Sequence, residues 1–122
     1  MKIDLSNSEW KLMNRLWQQA PMTITELTAV LREETGWSKN TIITMLSRLE
    51  SKGAVWHKEG QRAKHYFPAV AREDAIQAET ETFLDKVGGL GLLMSAMVKR
   101  NALTESDIAE LSAILEKAGE KK

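Results

Sequence analysis

Four times in 122 residues the sequence repeats one way of starting a helix. Ser6-x-x-Glu9 and Thr23-x-x-Glu26 are capping boxes, in which a hydroxyl and a carboxylate satisfy backbone N–H groups that a first turn leaves orphaned. Leu5 with Trp10, and Met22 with Leu27, flank these boxes as hydrophobic staples. Ser38 is an N-cap stapled by Trp37 and Ile42, with Thr41 where Glu or Gln is usual. Thr104-x-x-Asp107 opens the last helix, stapled by Leu103 and Ile108. A chain punctuated in this way is committed to short helices at fixed places.

The first helix is expected at about 7–19, with Trp10, Met13, Leu16 and Trp17 on one face, and it ends at Ala20-Pro21 because a residue before Pro avoids helical geometry. The second spans about 24–34 and buries Leu27, Val30 and Leu31, with Gly36 as its stop. The third runs about 39–52 with Gly53 just beyond it. Two short runs follow, Ala54–Lys58 and Ala63–Phe67, rich in Val, Trp, Tyr and Phe around Glu59-Gly60-Gln61-Arg62; they read as a β-hairpin. A further strand near Met22–Thr23 is weakly signalled. After Pro68 helical patterns return at about 72–86, 91–100 and 105–117, broken by Gly88-Gly89, and residues 73–122 contain no Trp or Tyr. The fold class is therefore mainly α: a winged helix-turn-helix of three helices plus a hairpin wing over residues 1–71, then a three-helix region over residues 72–122.

The formal net charge of zero conceals an asymmetry. Residues 1–72 carry 11 Lys/Arg against 7 Asp/Glu, whereas residues 73–122 carry 6 against 10. Residues 38–72 alone hold 7 basic and 2 acidic side chains, the footprint of a phosphate-binding surface or of a solvated face with chance clustering.

The third helix can be read by angle. At 100° per residue Ile42, Met45, Leu46 and Leu49 share a sector and face the core. Asn40, Thr44, Ser47 and Ser51 lie opposite, flanked by Ile43 and Arg48. Short polar groups of this kind hydrogen-bond base edges, Asn can bind adenine bidentately, and Ile or Thr methyls can touch a thymine methyl. The candidate DNA-binding set is thus Lys39, Asn40, Thr41, Ile43, Thr44, Ser47 and Arg48 on the helix, with Lys58, Gln61, Arg62 and Lys64 on the wing. For Ile43 the competing reading is packing against the first helix or the wing. With a Gly60-Gln61-Arg62 loop, Lys58 and Lys64 would face each other, a destabilising pair that a phosphate would relieve. His57 and His65 would face each other in the same register, as a packed or hydrogen-bonded pair rather than a metal site, since two histidines alone are an incomplete ligand set. The four Trp residues are read as core.

The C-terminal apolar residues Ile76, Phe83, Leu84, Val87, Leu93, Met97, Ile108, Leu111, Ile114 and Leu115 are more than three short helices can bury alone. They are read as a dimerisation surface, the alternative being helices folded back on the winged helix. No cysteine is present, so disulfides, thiolate metal sites and a nucleophilic thiol are excluded. No Gly-rich phosphate loop and no nucleophile–base constellation suggests an enzyme, and nothing requires a cofactor or a metal. No apolar run approaches the ~18 residues of a membrane span, and Met1-Lys2-Ile3-Asp4 lacks the apolar core of a secretion signal, so a cytoplasmic protein is expected. The rival to DNA binding is a winged-helix module that binds protein only.

Beyond these local readings, the sequence resembles the penicillinase repressor family (BlaI/MecI type) over nearly its whole length. The resemblance rests on Leu5-Ser6-Asn7-Ser8-Glu9-Trp10 leading to Met13 and Trp17, and on Trp37-Ser38-x-x-Thr41-Ile42-x-Thr44-x-Leu46-x-Arg48-Leu49 joined to Lys52-Gly53. The run from Glu59 to Pro68 and the tail Gly88-Gly89 … Leu103-Thr104-x-x-x-Ile108-x-x-Leu111 continue it. It implies a homodimeric repressor on a palindromic operator in double-stranded DNA, with Asn40, Thr41, Thr44 and Arg48 at the DNA. It also implies, as in the β-lactam branch, a protease partner that inactivates the repressor in its C-terminal region. Ala96-Met97 stands here where that branch has an Asn-Phe pair.

Overall fold

The computed structural model describes residues 4–120, the Glu120 side chain excepted; the N-terminal residues 1–3, read above as lacking a signal core, lie outside the described residues. Its elements run α1 (Asn7–Gln18), α2 (Ile24–Thr35), α3 (Lys39–Ser51), β1 (Val55–Glu59), β2 (Lys64–Pro68), α4 (Arg72–Val87), α5 (Leu90–Lys99) and α6 (Glu105–Glu120). The expected winged helix-turn-helix with three further helices is what forms, with each boundary within a few residues of its sequence signal. The capping boxes close as written: Ser6 N–H donates to Glu9 Oε1 at 2.8 Å and Glu9 N–H to Ser6 Oγ at 3.2 Å, and Thr23 with Glu26 repeats the exchange at 2.9 and 3.2 Å. Gly36 ends α2 at φ 75°, where a side chain would be strained.

Two compact units divide the chain at Thr80/Glu81. The first extends past the division expected between residues 71 and 72, because the opening turn of α4 belongs to its core: Ala75 is 2% exposed. That core joins Leu12, Met13 and Leu16 of α1, Leu27 and Leu31 of α2, and Ile42, Leu46 and Leu49 of α3, with Val55 and Tyr66 from the hairpin. Each such side chain contributes about 1.5–3 kcal/mol on full burial, and together they fix α3 in one rotation about its axis. Met22 pairs with Tyr66 through both backbone bonds, at 3.1 and 2.9 Å, which supplies the weakly signalled third strand as a single bridge. Trp10, Trp17 and Trp37 pack half-buried against this core, but Trp56 does not. It is 48% exposed and stacks on Phe67 across the hairpin, centroids 4.3 Å apart, so the expectation of core packing fails for this one.

The second unit comprises the end of α4 with α5 and α6. Gly88 and Gly89 lie at φ 94° and 113° and donate to the Leu84 carbonyl at 3.0 and 2.8 Å, which closes α4 and turns the chain into α5. The Thr104–Asp107 box opens α6, with both bonds at 3.0 Å. Among the described residues from 81 to 119 none is buried. Leu90, Leu92 and Val98 on α5 and Ile108, Ile114 and Leu115 on α6 are 53–65% exposed, whereas Leu93, Met94, Met97 and Leu111 are half-buried. No described helix is long and apolar enough to cross a membrane.

Candidate nucleic-acid interface

The outward face of α3 follows from its inward one. Ser38 accepts the Thr41 N–H at 3.3 Å and fixes where the helix starts. With Ile42, Met45, Leu46 and Leu49 buried, Lys39, Asn40, Thr41, Ile43, Thr44, Ser47, Arg48 and Ser51 are all exposed. Ile43 is 42% exposed, so packing against α1 or the wing does not account for it. Thr44 Oγ1 donates to the Asn40 carbonyl at 3.0 Å, which settles its hydroxyl against the helix. Two clefts flank this face. One of about 330 Å³ is lined by Asn40, Thr41, Thr44 and Arg48 together with Ser8 and Trp37; the other, of about 450 Å³, by Ile43, Thr44, Ser47, Arg48 and Ser51. Thr44 and Arg48 border both. The staple of Trp37 with Ile42 already set that indole beside the start of α3, but the place of Ser8 at this face had no sequence signal.

The hairpin corrects the expected register. Lys58 pairs with His65, Glu59 with Lys64, and His57 with Tyr66. The loop is one residue longer than expected, Gly60 to Ala63, closed by Gly60 N–H to the Ala63 carbonyl at 2.9 Å. A one-residue slip changes every cross-strand partner. Lys58 and Lys64 therefore do not oppose each other; they stand on opposite faces of the ribbon, and the argument from their mutual repulsion falls. Lys64 instead pairs with Glu59 in register, a residue of opposite charge. Gln61 and Arg62 lie exposed in the loop. A Cβ on Gly60 would come within 2.8 Å of the His65 ring, so that close approach requires glycine.

His57 and His65 are likewise not partners. His57 Nδ1 lies 2.6 Å from Glu50 Oε1 and its Nε2 3.7 Å from Glu59 Oε1, with its ring 5.4 Å from that of Tyr66. This ties the base of the wing to the last turns of α3. Among the described residues no group of three or more His, Cys, Asp or Glu side chains is placed to hold a metal ion.

A second tie to α3 is also absent from the sequence reading. Lys52, directly after α3, donates to Glu9 Oε1 at 2.6 Å and to the Asp4 carbonyl at 2.7 Å. The Glu9 side chain is 1% exposed, and its Oε2 is buried without a hydrogen-bond partner. Burial pushes the Glu9 carboxyl upward, but the Lys52 ammonium and the Ser6 donors outweigh it and hold the group below its ordinary 4.5. A buried carboxylate thus pins both the start of α1 and the end of α3.

Comparison with known proteins gives this arrangement relatives. A family model described as penicillinase repressor matches residues 5–117. The penicillinase repressor of Bacillus licheniformis is 31% identical over 114 residues, covering 92% of this chain and 89% of that protein. The methicillin resistance regulatory protein MecI of Mammaliicoccus sciuri is 28% identical over 116 residues, covering 93% and 94%. Among solved structures, the Bacillus licheniformis BlaI monomeric form in complex with the blaP half-operator is similar at TM-score 0.54 and 31% identity, over 61% of this chain and 90% of that one.

Proposed function

The chain belongs to the penicillinase repressor family, and on that premise we propose that it is a transcriptional repressor, not an enzyme, which occupies operator DNA as a homodimer and blocks transcription sterically. The observation that carries the reading is the outward face of α3: an exposed, carboxylate-free row of Asn40, Thr44 and Ser47, edged by Ile43 and Arg48, on a helix held in one rotation by its buried stripe. In this reading α3 enters the major groove, Asn40, Thr44 and Ile43 read base edges, and Lys39, Thr41 and Arg48 hold phosphates. Gln61 and Arg62, with Lys58 or Lys64, reach the backbone beside them. Structural similarity to a relative solved with a half-operator supports this use of the fold.

Dimerisation is assigned to the segment beginning in α4: Ile76, Phe83, Leu84 and Val87, then Leu93 and Met97 on α5, and Ile108, Leu111, Ile114 and Leu115 on α6. The absence of any buried residue among those described from 81 to 119 supports it, since apolar helices of this kind need a cover and a second copy supplies an identical one. The working division is then a DNA-binding domain followed by a dimerisation region. Ala96 and Met97 lie inside α5, so a protease cutting there would sever this region and release the operator. Work on DNA places the protein in the cytoplasm.

An electrophoretic shift on the protein's own promoter DNA, against a scrambled duplex of equal length, tests the function. Retention of the promoter at low salt with selectivity over the scramble is expected. Failure to retain either duplex would leave a protein-binding module as the surviving alternative.

A further inference from the structure

A polar cleft of about 490 Å³ lies wholly within the first unit, built from α1, the end of α2 and the first residue of α4. It shares no residue with α3 or the hairpin, and its volume falls in the range of about 300–1,000 Å³ usual for small-ligand sites. Lys11, Asn14 and Gln18 reach it from one stripe of α1, and Arg72 closes it from α4. Arg15 and Glu34 also line it, but these two answer each other at 3.1 Å. Among the described residues the side chains of Lys11 and Arg72 make neither an ion pair nor a hydrogen bond, and the side-chain amides of Asn14 and Gln18 make no hydrogen bond.

The remaining wall is the indole of Trp17. Its N–H donates to the Val70 carbonyl at 3.0 Å and its ring meets that of Trp10 at 5.7 Å, so it is held in place rather than free to collapse into the cleft. A fixed apolar wall, two amides and two uncommitted cations in one concavity are complementary to a small molecule with a carbon body and two negative groups. The Arg72 guanidinium suits bidentate binding of one carboxylate, and the Lys11 ammonium a point charge at the other.

We propose that this cleft binds a small organic dianion, with Lys11 and Arg72 taking its two charged groups, Asn14 and Gln18 hydrogen-bonding its oxygens, and Trp17 covering its carbon skeleton. The site is separate from the operator surface assigned to α3 and the wing, since of its residues only Arg72 belongs to the basic block at 38–72 and none lies on α3 or the hairpin. A free molecule, not a DNA phosphate, is the occupant: a duplex backbone offers no body to lie on Trp17 inside a concave wall.

The test is a titration of the ¹⁵N-labelled full chain followed by amide and indole resonances, which report on Trp17, Asn14 and Gln18 individually. Glutarate is the probe, its neutral analogue glutaramide and sodium chloride at matched ionic strength are the controls, and inorganic phosphate is the competing source of a dianion. Glutarate is expected to shift these three residues saturably, glutaramide and chloride not at all, and phosphate only at higher concentration. Lys11→Gln and Arg72→Gln, both at exposed positions and checked by circular dichroism, are each expected to weaken glutarate about tenfold or more. Shifts that never saturate, phosphate binding at least as tight as glutarate, or glutarate binding unchanged in both folded variants would overturn the proposal. So would weakened DNA binding in the two variants with no response to either anion, which would assign the cations to the duplex backbone.

Discussion

Substituting Lys52 with Met should destabilise the fold far more than the loss of a surface lysine. The methionine keeps most of the stem and removes only the ammonium. What remains is the Glu9 carboxylate, 1% exposed, with Oε1 held by the Ser6 N–H alone and Oε2 already without a partner. Removing one member of a fully buried ion pair costs about 3–5 kcal/mol. The Lys52 side chain is 34% exposed, so water already screens part of the attraction, and the expected loss falls to about 2–3 kcal/mol. In a domain of this size that lowers Tm by roughly 10–20 °C. The dependence on pH has a definite sign. In the natural protein the folded-state pKa of Glu9 is depressed below 4.5, so the pair's contribution is fully present above the ordinary value and is lost as pH falls from there through the lower folded-state pKa. In Lys52→Met burial prevails and the pKa rises, so the folded variant takes up a proton earlier and recovers stability on acidification. Urea unfolding of both proteins at about pH 7 and about pH 4 should show the difference shrinking. A difference under about 0.5 kcal/mol near neutrality, or one that widens in acid, would refute the argument.

Asn40→Ala and Thr44→Ala should each cost about 1–3 kcal/mol of operator binding and relax preference at particular positions, whereas Arg62→Ala should weaken all duplexes alike; binding to a panel of singly altered operators separates the two patterns. Because Lys58 and Lys64 stand on opposite faces of the wing, only one of the two alanine variants should reduce the salt slope by about one, and equal reductions would contradict that geometry. Ile114→Asp, at a position 55% exposed in the single chain, should leave helix content unchanged, yield a monomer in sedimentation at micromolar concentration and weaken operator binding about a hundredfold or more; a persisting dimer would remove α6 from the interface.

What could be read from the residues follows the range of the interactions. The caps close within three residues and the staples within five, so Ser6, Thr23, Ser38 and Thr104 announce their helices without help from the rest of the chain. The inward stripe of α3 was legible for the same reason, since helical periodicity is local. The hairpin was legible as an element but not in register: whether Ala63 joins the loop or the strand shifts every partner by one, and nothing in Glu59–Ala63 decides it. Trp56 was misplaced because a half-covered strand buries one face only, and its sequence does not say which. The ties that converge on α3, Lys52 with Glu9 and His57 with Glu50, join residues 43 and 7 positions apart, and their partners become visible only once the chain has folded.

The hydrogen bond from Thr44 to the Asn40 carbonyl bears on how much information the operator surface can hold. While that bond stands, the hydroxyl proton points back along the helix and the outward side of the oxygen offers lone pairs alone. Thr44 can then answer the amino groups of adenine or cytosine but cannot address the acceptors N7, O6 or O4. Its vocabulary is two bases of four, about one bit of the two that a fully specified position carries. The remaining bit must come from a neighbour, and a methyl on Ile43 meeting or missing a thymine methyl is suited to supply it. The two residues would then spell one position jointly, and operators selected from random DNA would show covariation with substitutions at 43 and 44 taken together rather than one at a time.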